Sequence, residues 1–435
     1  MSLALTVEAT RPGVRPPDRR GPADNLALDL EAFDLDELAR RHDTPFYLYD
    51  LAVVERRVGA LQAALPDQFR LAYAVKANPS AAVLGRIAEL GLGADVASDG
   101  ELARVLAAGI DPAEVVFTGP GKRDAELAAA VAAGVGLLTV ESPGELRRLA
   151  SIAAAAEQRV PILLRRSLDP TDNAPAEATQ IIGDAGAGKF GMDDDDLRAS
   201  ARFALDSPWL ELHGVHAFGA SNILDAGTIV RHVERTMAFG RTLAQDLGFP
   251  IRIIDVGGGS SSEYGIPRPP LDLAALRGGL ARLSADWLHD PTTTATKVLI
   301  EPGRFLVGPA GVYVTRVVDT KRVRGRALAI VDGGINHLLR PVLVGQPQRI
   351  RRLGGAQVRP GAESAAGLRP AIAPEPVTIA GPLCTGLDIL ARDLPIGMPE
   401  VGELLAVLDA GAYGYTESMP FFLSRPLPAE VVASG

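Results

Sequence analysis

Leu71-Ala-Tyr-Ala-Val-Lys-Ala-Asn-Pro-Ser80 is an apolar run that closes in one lysine and a chain-bending Asn-Pro pair. Its composition and turn signal predict a buried strand carrying a cationic side chain at its C-terminal end. Burying an ammonium is unfavourable unless it is paired or deprotonated, so Lys76 either reaches solvent at the strand end or is kept for chemistry. Lysine usage bears on that choice. Lys76, Lys122, Lys189, Lys297 and Lys321 are the only lysines among 44 cationic residues, and an arginine cannot supply the nucleophilic amine that a lysine can.

Outward from this strand the same texture recurs. Apolar runs at Leu71–Val75, Gly93–Ala97, Val115–Thr118, Gly136–Val140, Pro161–Arg165, Leu212–Phe218, Ile251–Val256 and Lys297–Glu301 are separated by segments rich in Ala and Leu with helical character. Eight strands alternating with helices predict an α/β chain built on a parallel (β/α)8 TIM barrel. The rival, a doubly wound open sheet, would carry Gly-x-Gly-x-x-Gly after its first strand, and none is there. After Pro302 the pattern changes to Val/Leu runs broken by Gly and Pro, at Gly311–Val318, Ala327–Val331, Val377–Ala380 and Leu404–Leu408. That predicts a C-terminal β-rich domain. The expected division is a barrel over 45–302, with Pro45–Asp50 as a strand running into its first helix, and a β domain over 303–435. Residues 1–25, dense in Arg and Pro, are expected to be a mobile arm.

Composition bounds the function. At 435 residues the chain exceeds one ordinary core, and 47% hydrophobic content fits a globular enzyme. No apolar run is long enough to span a bilayer, so no membrane association is expected. A formal charge of −9 argues against a general nucleic-acid surface. Cys384 stands alone, which excludes an intramolecular disulfide, and with no signal-peptide pattern a reducing cytoplasm is the expected compartment. The acidic run Asp193–Asp196 reads as a solvated helix start, and no metal site is expected.

Barrel enzymes work at the C-terminal ends of their strands, and polar residues collect there. Lys76 ends the first run and Asp95 the second; Arg165 ends the fifth; His216 and Ser221 flank the end of the sixth. Gly257-Gly258-Gly259 follows the seventh, and Glu301-Pro-Gly303-Arg304 closes the eighth. Consecutive glycines let backbone N–H groups approach an anion closely, although a tight turn explains three glycines equally well. A carboxylate, an arginine, a glycine-rich anion nest and a lone lysine together match what pyridoxal phosphate requires.

Tyr73-Ala-Val-Lys-Ala-Asn-Pro79, Asp255-Val-Gly-Gly-Gly259, Glu301-Pro-Gly-Arg304, Gly381-Pro-Leu-Cys-Thr-Gly-Leu-Asp388 and Gly411-Ala-Tyr-Gly-Tyr415 closely resemble, in collinear order, the pyridoxal-phosphate decarboxylases of ornithine and diaminopimelate. The resemblance implies an alanine-racemase-like fold in which residues before the barrel, here 26–44, join the β domain. It implies Lys76 as the residue that bonds the cofactor aldehyde and Glu301 as the partner of the pyridine nitrogen. Gly257, Gly258, Gly259, Ser221, Gly303, Arg304 and Tyr413 would surround the phosphate, with Asp95 and Arg165 supporting the ring and the lysine. It also implies a homodimer in which the partner chain delivers Cys384 to protonate or orient the substrate. A glutamate on the ring nitrogen keeps it protonated and strengthens the electron sink, which favours decarboxylation over racemisation.

Two departures stand out. The family's ring-stacking histidine lies in a Gly-Leu-His-x-His-x-Gly-Ser pattern, whereas Gly214-Val-His-Ala-Phe-Gly-Ala-Ser221 puts Phe218 in that place. Phe218 can stack but cannot share a proton. After Cys384 the ornithine and diaminopimelate enzymes carry an acid that grips the distal ammonium, and this chain has Thr385. The pattern looks like a biosynthetic subgroup, some of whose members decarboxylate an amino-acid unit attached to a larger carrier. The alternative is a diaminopimelate or ornithine decarboxylase whose distal amine is held by Asp388 or Glu417, with Arg340 as a carboxylate-binding residue. A racemase or a non-catalytic cofactor-binding barrel are the remaining readings.

Overall fold

The computed structural model describes residues 6–8, 26–168, 188–219, 221–264, 268–290, 293–353 and 374–433. In chain order, β1 (Thr6–Glu8) and β2 (Phe46–Asp50) precede eight strands that close a parallel barrel. These are β3 (Phe69–Ala74), β4 (Gly93–Val96), β5 (Val115–Phe117), β6 (Leu137–Val140), β7 (Val160–Arg165), β8 (Leu210–His216), β9 (Ile253–Asp255) and β10 (Lys297–Ile300). Each coincides with a predicted run. β10 pairs with both β9 and β3, so the sheet has no edge. The interior is filled by Ala72, Val116, Leu137, Leu163 and Leu299, with Ile253 packed against them.

Small polar residues make the turns from strand to helix abrupt. Ser98 accepts a hydrogen bond from the Glu101 N–H at the start of the helix Asp99–Ala107, and Ser142 does the same for Glu145 ahead of Pro143–Ala155. Asp193 caps Asp194–Asp206 through the Asp196 N–H, so the acidic run is a helix start as expected. Such caps satisfy N–H groups that the first turn leaves without partners. They also hold each helix close behind its strand, leaving the strand ends to face the barrel mouth.

After the barrel come β11 (Gly311–Val323), β12 (Arg326–Val331), β13 (Ile350–Arg352), β14 (Pro376–Ala380), β15 (Ile389–Pro395), β16 (Leu404–Val407) and β17 (Ala429–Ala433). With β1 and β2 they form a nine-stranded sheet, in the order β1-β17-β2-β11-β12-β14-β15 with β16 and β13 branching from β11. Two expectations are corrected here. β2, assigned from sequence to the barrel, lies inside this sheet between β17 and β11, and all five of its residues are buried. Its Phe46 and Leu48 pack with Val312, Val314, Leu404 and Val431, and with Leu35 and Leu38 of the helix Leu35–His42. The expected arm is not wholly outside the fold either, because Thr6–Glu8 pairs in parallel with Glu430–Val432; the rest of residues 1–25 lies outside the described residues. The chain accordingly divides into a sheet unit (1–54, 263–268, 307–435) and a barrel unit (55–262, 269–306), so Gly303 and Arg304 belong to the barrel.

Candidate active site

Lys76 does not sit in β3 itself. Its strand breaks into a 3-10 turn at Val75–Ala77, closed by the Asn78 N–H donating to the Val75 carbonyl at 3.0 Å. The Asn78 side chain accepts from the Ser80 N–H, and the Tyr73 hydroxyl donates to the Asn78 carbonyl. The Ala74 N–H donates to the Pro302 carbonyl at 3.2 Å, and a Cβ on Gly303 would meet the Ala77 Cβ at 2.8 Å. The lysine turn is therefore packed against the chain that follows Glu301. Lys76 Nζ reaches Asp95 Oδ2 at 2.7 Å; the lysine side chain is 47% exposed and the aspartate 1%. An anchored but accessible amine is what a nucleophile needs.

Around the rim, register sets the neighbours. Ala74 is opposite Asp95, Arg165 opposite His216, and His216 opposite Asp255. Glu301 follows β10 directly and donates its N–H to the Gly257 carbonyl at 2.9 Å. His216, Asp255 and Glu301 are all buried, with one ligand-capable atom from each within 4.8 Å of the others. His216 Nε2 lies 3.8 Å from Glu301 Oε2, too far for a hydrogen bond and close enough for charge to act. Burial pushes Glu301 up, but His216 and the Lys76 ammonium outweigh it and hold the carboxyl at about 2. Burial and then the charge of Glu301 push Asp255 well above the usual carboxylate range, opposite to the shift of Glu301. Asp95 is also raised, by burial first and Glu301 second, with Lys76 opposing.

The glycine loop is shaped for close approach. Gly257 (φ +64°) and Gly259 (φ +110°) take left-handed backbone conformations, and a Cβ on Gly258 would lie 2.2 Å from the Glu301 carbonyl oxygen. Phe218 packs on this loop, since a Cβ on Gly257 would come within 2.7 Å of its ring. The Ser221 loop is zipped to the same glycines by Ile223 N–H to the Gly259 carbonyl at 2.9 Å and Ser261 N–H to the Ile223 carbonyl at 3.0 Å.

Arg165 is already engaged. Its guanidinium donates to Glu141 Oε1 at 2.8 Å and lies 4.5 Å from the Phe190 ring centre. Glu141 also accepts from the Gly119 and Gly191 N–H groups. Beside it Lys122 Nζ is buried against Glu145 Oε1 and the carbonyls of Gly119 and Thr139, at 2.7, 2.7 and 2.8 Å. Two carbonyl acceptors and a buried carboxylate counterion hold this ammonium, and its side chain is 1% exposed, so Lys122 is a poor rival for the nucleophile.

Arg340, Cys384, Thr385, Asp388 and Tyr413 belong to the sheet unit. Arg340 is buried, donates to Glu417 Oε2 at 3.0 Å and lies 4.9 Å from the centre of the Tyr413 ring. Tyr413 is held at φ +53°, a strained backbone for a side chain of its size. Cys384 is exposed with a free thiol. Thr385 Oγ1 accepts from the Leu387 N–H at 3.3 Å. Asp388 departs from its expected role: its two oxygens accept from the Ile335 and Leu383 N–H groups at 2.8 and 2.7 Å, and it is buried. It shapes the loop rather than presenting an acid to a substrate.

The site asks for a cofactor with an N–H to meet a buried anion, an aldehyde for an amine, and a phosphate for a glycine nest. Glu301 Oε1 and Asp95 Oδ1 are buried without hydrogen-bond partners, and the glycine loop has no room for side chains. Residues 51–308 match the model of the family described as pyridoxal-dependent decarboxylase, pyridoxal binding domain. The chain belongs to the pyridoxal-dependent decarboxylases. It is 36% identical over 409 residues to a diaminopimelate decarboxylase of Pseudomonas aeruginosa, covering 94% of this chain and 92% of that one. It is 30% identical over 408 residues to a Niallia circulans enzyme named as a decarboxylase of the L-glutamyl BtrI acyl-carrier protein, covering 93% and 92%. Among solved structures, diaminopimelate decarboxylase of Helicobacter pylori complexed with L-lysine is similar at a TM-score of 0.78 and 28% identity, over 92% of this chain and 94% of that one. Like its family, this decarboxylase uses pyridoxal phosphate, and the residues present fit it. Sequence reasoning placed His216 at the rim without a role and passed over Asp255 and the Lys122 cluster. The signal for Asp255 was an acid two residues before the first of the three glycines.

Proposed function

We propose that this decarboxylase removes the α-carboxylate of an amino acid whose side chain ends in a neutral linkage, as in an amino-acid unit joined through an amide or thioester to a larger carrier. One observation carries the substrate class: Glu417 pairs with Arg340, Asp388 is committed to backbone N–H groups, and Thr385 stands where the resembling enzymes place an acid. A free distal ammonium would find no uncommitted carboxylate among these three positions. The Niallia circulans relative, named for a carrier-bound glutamyl unit, supports the reading. A free diaminopimelate or ornithine substrate is the second reading, supported by the diaminopimelate decarboxylases among the relatives.

Bound pyridoxal phosphate supplies the electron sink for the carbon that loses carbon dioxide. In this reading Lys76 would hold the cofactor through its aldehyde, and Asp95 anchors the lysine ammonium at the mouth. Glu301, held ionised at about 2 with His216 and Lys76 as the main counterweights to its burial, would accept the pyridine N–H and keep that proton in place. Gly257, Gly258, Gly259, Ser221, Gly303, Arg304 and Tyr413 would hold the phosphate, with Phe218 and Arg165 as the residues that would support the ring. Arg340, paired with Glu417, would hold an acid group only of a substrate that carries a second carboxylate. The active form is proposed as a homodimer in which the exposed Cys384 and Thr385 loop serves the partner's substrate, in a reducing cytoplasm that suits a free exposed thiol. No described helix is long and apolar enough to cross a membrane.

Borohydride reduction followed by peptide mapping tests the first assignment, and a label on any lysine other than Lys76 overturns it. Carbon-dioxide release from free diamino acids and from glutamyl thioesters, offered in parallel, tests the substrate class. Ordinary efficiency on a free diamino acid would establish the second reading.

A further inference from the structure

The two loops assigned to the cofactor phosphate share a brace at their roots. His232 lies on the helix Ala226–Leu247 and is 6% exposed. Its Nε2 is 2.9 Å from the carbonyl oxygen of Val256 and 3.2 Å from that of Ala217, the residues that lead into Gly257 and Phe218. Both partners are acceptors, so Nε2 carries the proton and donates to the two of them. Nδ1 is buried without a hydrogen-bond partner and faces Gly219, where a Cβ would lie 2.8 Å away. Behind the glycines the packing is open: a cavity of about 20 Å³ is lined by Val256, Gly257, Gly258, Ser260, Leu276 and His232 itself. Farther out, backbone hydrogen bonds from Ile223 and Ser261 zip the loops together. At the roots, the imidazole is the side chain that bonds to both.

We infer that His232 is a positioning residue for the cofactor phosphate. By holding the Ala217 and Val256 carbonyls on one N–H it sets the spacing between the loop carrying Phe218 and Ser221 and the loop Gly257–Gly259. Gly219 is the partner in this device, because only a residue without a side chain leaves room for the ring. An anion nest binds through several N–H groups aimed at one point, so a small change in spacing weakens all of them together. The inference rests on the assignment of these two loops to the phosphate.

The test uses full-length apoenzyme, with cofactor affinity read by absorbance titration and inorganic phosphate binding read by thermal shift. His232→Ala is expected to weaken pyridoxal phosphate by about 10-fold or more and to remove most of the phosphate-induced rise in Tm, with kcat at saturating cofactor within about threefold of wild type. His232→Gln, whose amide can donate at the same reach, should restore most of the affinity. Gly219→Ala should weaken the cofactor alone but add little in a His232→Ala background, because the clash is with the ring. His232→Ala with unchanged cofactor affinity overturns the inference, including where the apoenzyme Tm falls. Should His232→Ala fail to fold, Gly219→Ala decides: weakened cofactor at normal apoenzyme Tm supports the brace, and unchanged affinity removes it. A wild-type apoenzyme that phosphate does not protect would instead refute the loop assignment, and the inference with it.

Discussion

Two neighbouring carboxyls in the barrel mouth are pushed in opposite directions, and each shift has a test. Glu301 is held at about 2 against its burial, so it stays ionised throughout the range in which the enzyme works and contributes no limb to the pH–rate profile above about pH 3. Glu301→Gln keeps size and removes the anion. Turnover should fall by about 100-fold or more while cofactor affinity changes little, and unchanged kcat with cofactor fully bound would contradict the role. Asp255 is raised by burial and by Glu301. An acid raised in the fold binds its proton more tightly folded than unfolded, so its contribution to stability is present at low pH and declines as pH rises above the unfolded value near 4. Asp255→Asn keeps the acceptor for the Gly257 N–H and removes this titration. As pH rises above about 4, the apoenzyme variant should show a flatter fall of Tm than wild type, and an identical profile would overturn the raised proton affinity of Asp255. Lys76 and Glu301 were legible because each ends an apolar run. Asp255 ends strand β9, yet its raised proton affinity depends on Glu301, which lies 46 residues away and meets it only once the barrel closes.

Among the elements, the parallel strands were read correctly because both of their faces are buried and their sequences are near-continuous apolar runs. β2 carries the same signal, five consecutive buried residues, and was placed in the wrong unit. Burial on both faces does not reveal which sheet provides it; that is fixed by pairing to β11 and β17, more than 250 residues later in the chain. The three-residue strands β1 and β13 offer almost no periodicity to read. The Lys122 cluster shows the same limit on the barrel rim, where one ammonium ties the Gly119 turn after β5, the Thr139 carbonyl of β6 and Glu145 at the start of the helix Pro143–Ala155. Lys122→Met would leave a buried carboxylate and two carbonyls without their donor, a loss of about 3–5 kcal/mol. For a unit of this size that lowers Tm by about 5–15 °C, measurable by calorimetry on the apoenzyme, with borohydride labelling of Lys76 retained. A loss of labelling at full stability would instead make Lys122 part of the chemistry.

For the whole molecule, the family's chemistry sits on the barrel unit, and the proposed substrate choice is assigned to residues of the sheet unit. The family's chemistry requires only an α-amino acid, so selectivity falls to residues beyond the reacting carbon. In the proposed reading the acids that a diamine would need are occupied: Glu417 by Arg340, and Asp388 by the N–H groups of Ile335 and Leu383. A distal ammonium set beside Thr385 would exchange its hydration for one neutral hydrogen bond, a deficit of roughly a few kcal/mol against a carboxylate partner. Wild-type kcat/KM for free ornithine or diaminopimelate should therefore lie about 100-fold or more below that for a side chain ending in an amide or thioester. Thr385→Asp reverses the sign of the effect. It supplies the missing counterion, so turnover of the free diamino acid should rise while that of the neutral substrate falls, and the crossover is read by comparing kcat/KM for both substrates in both proteins. Arg340→Gln separates this from a general loss of structure, since it frees Glu417 to meet an ammonium and should raise diamine turnover without Thr385 being touched. If neither variant moves the ratio, the distal end of the substrate is recognised elsewhere, and the acids of the sheet unit have no part in the choice.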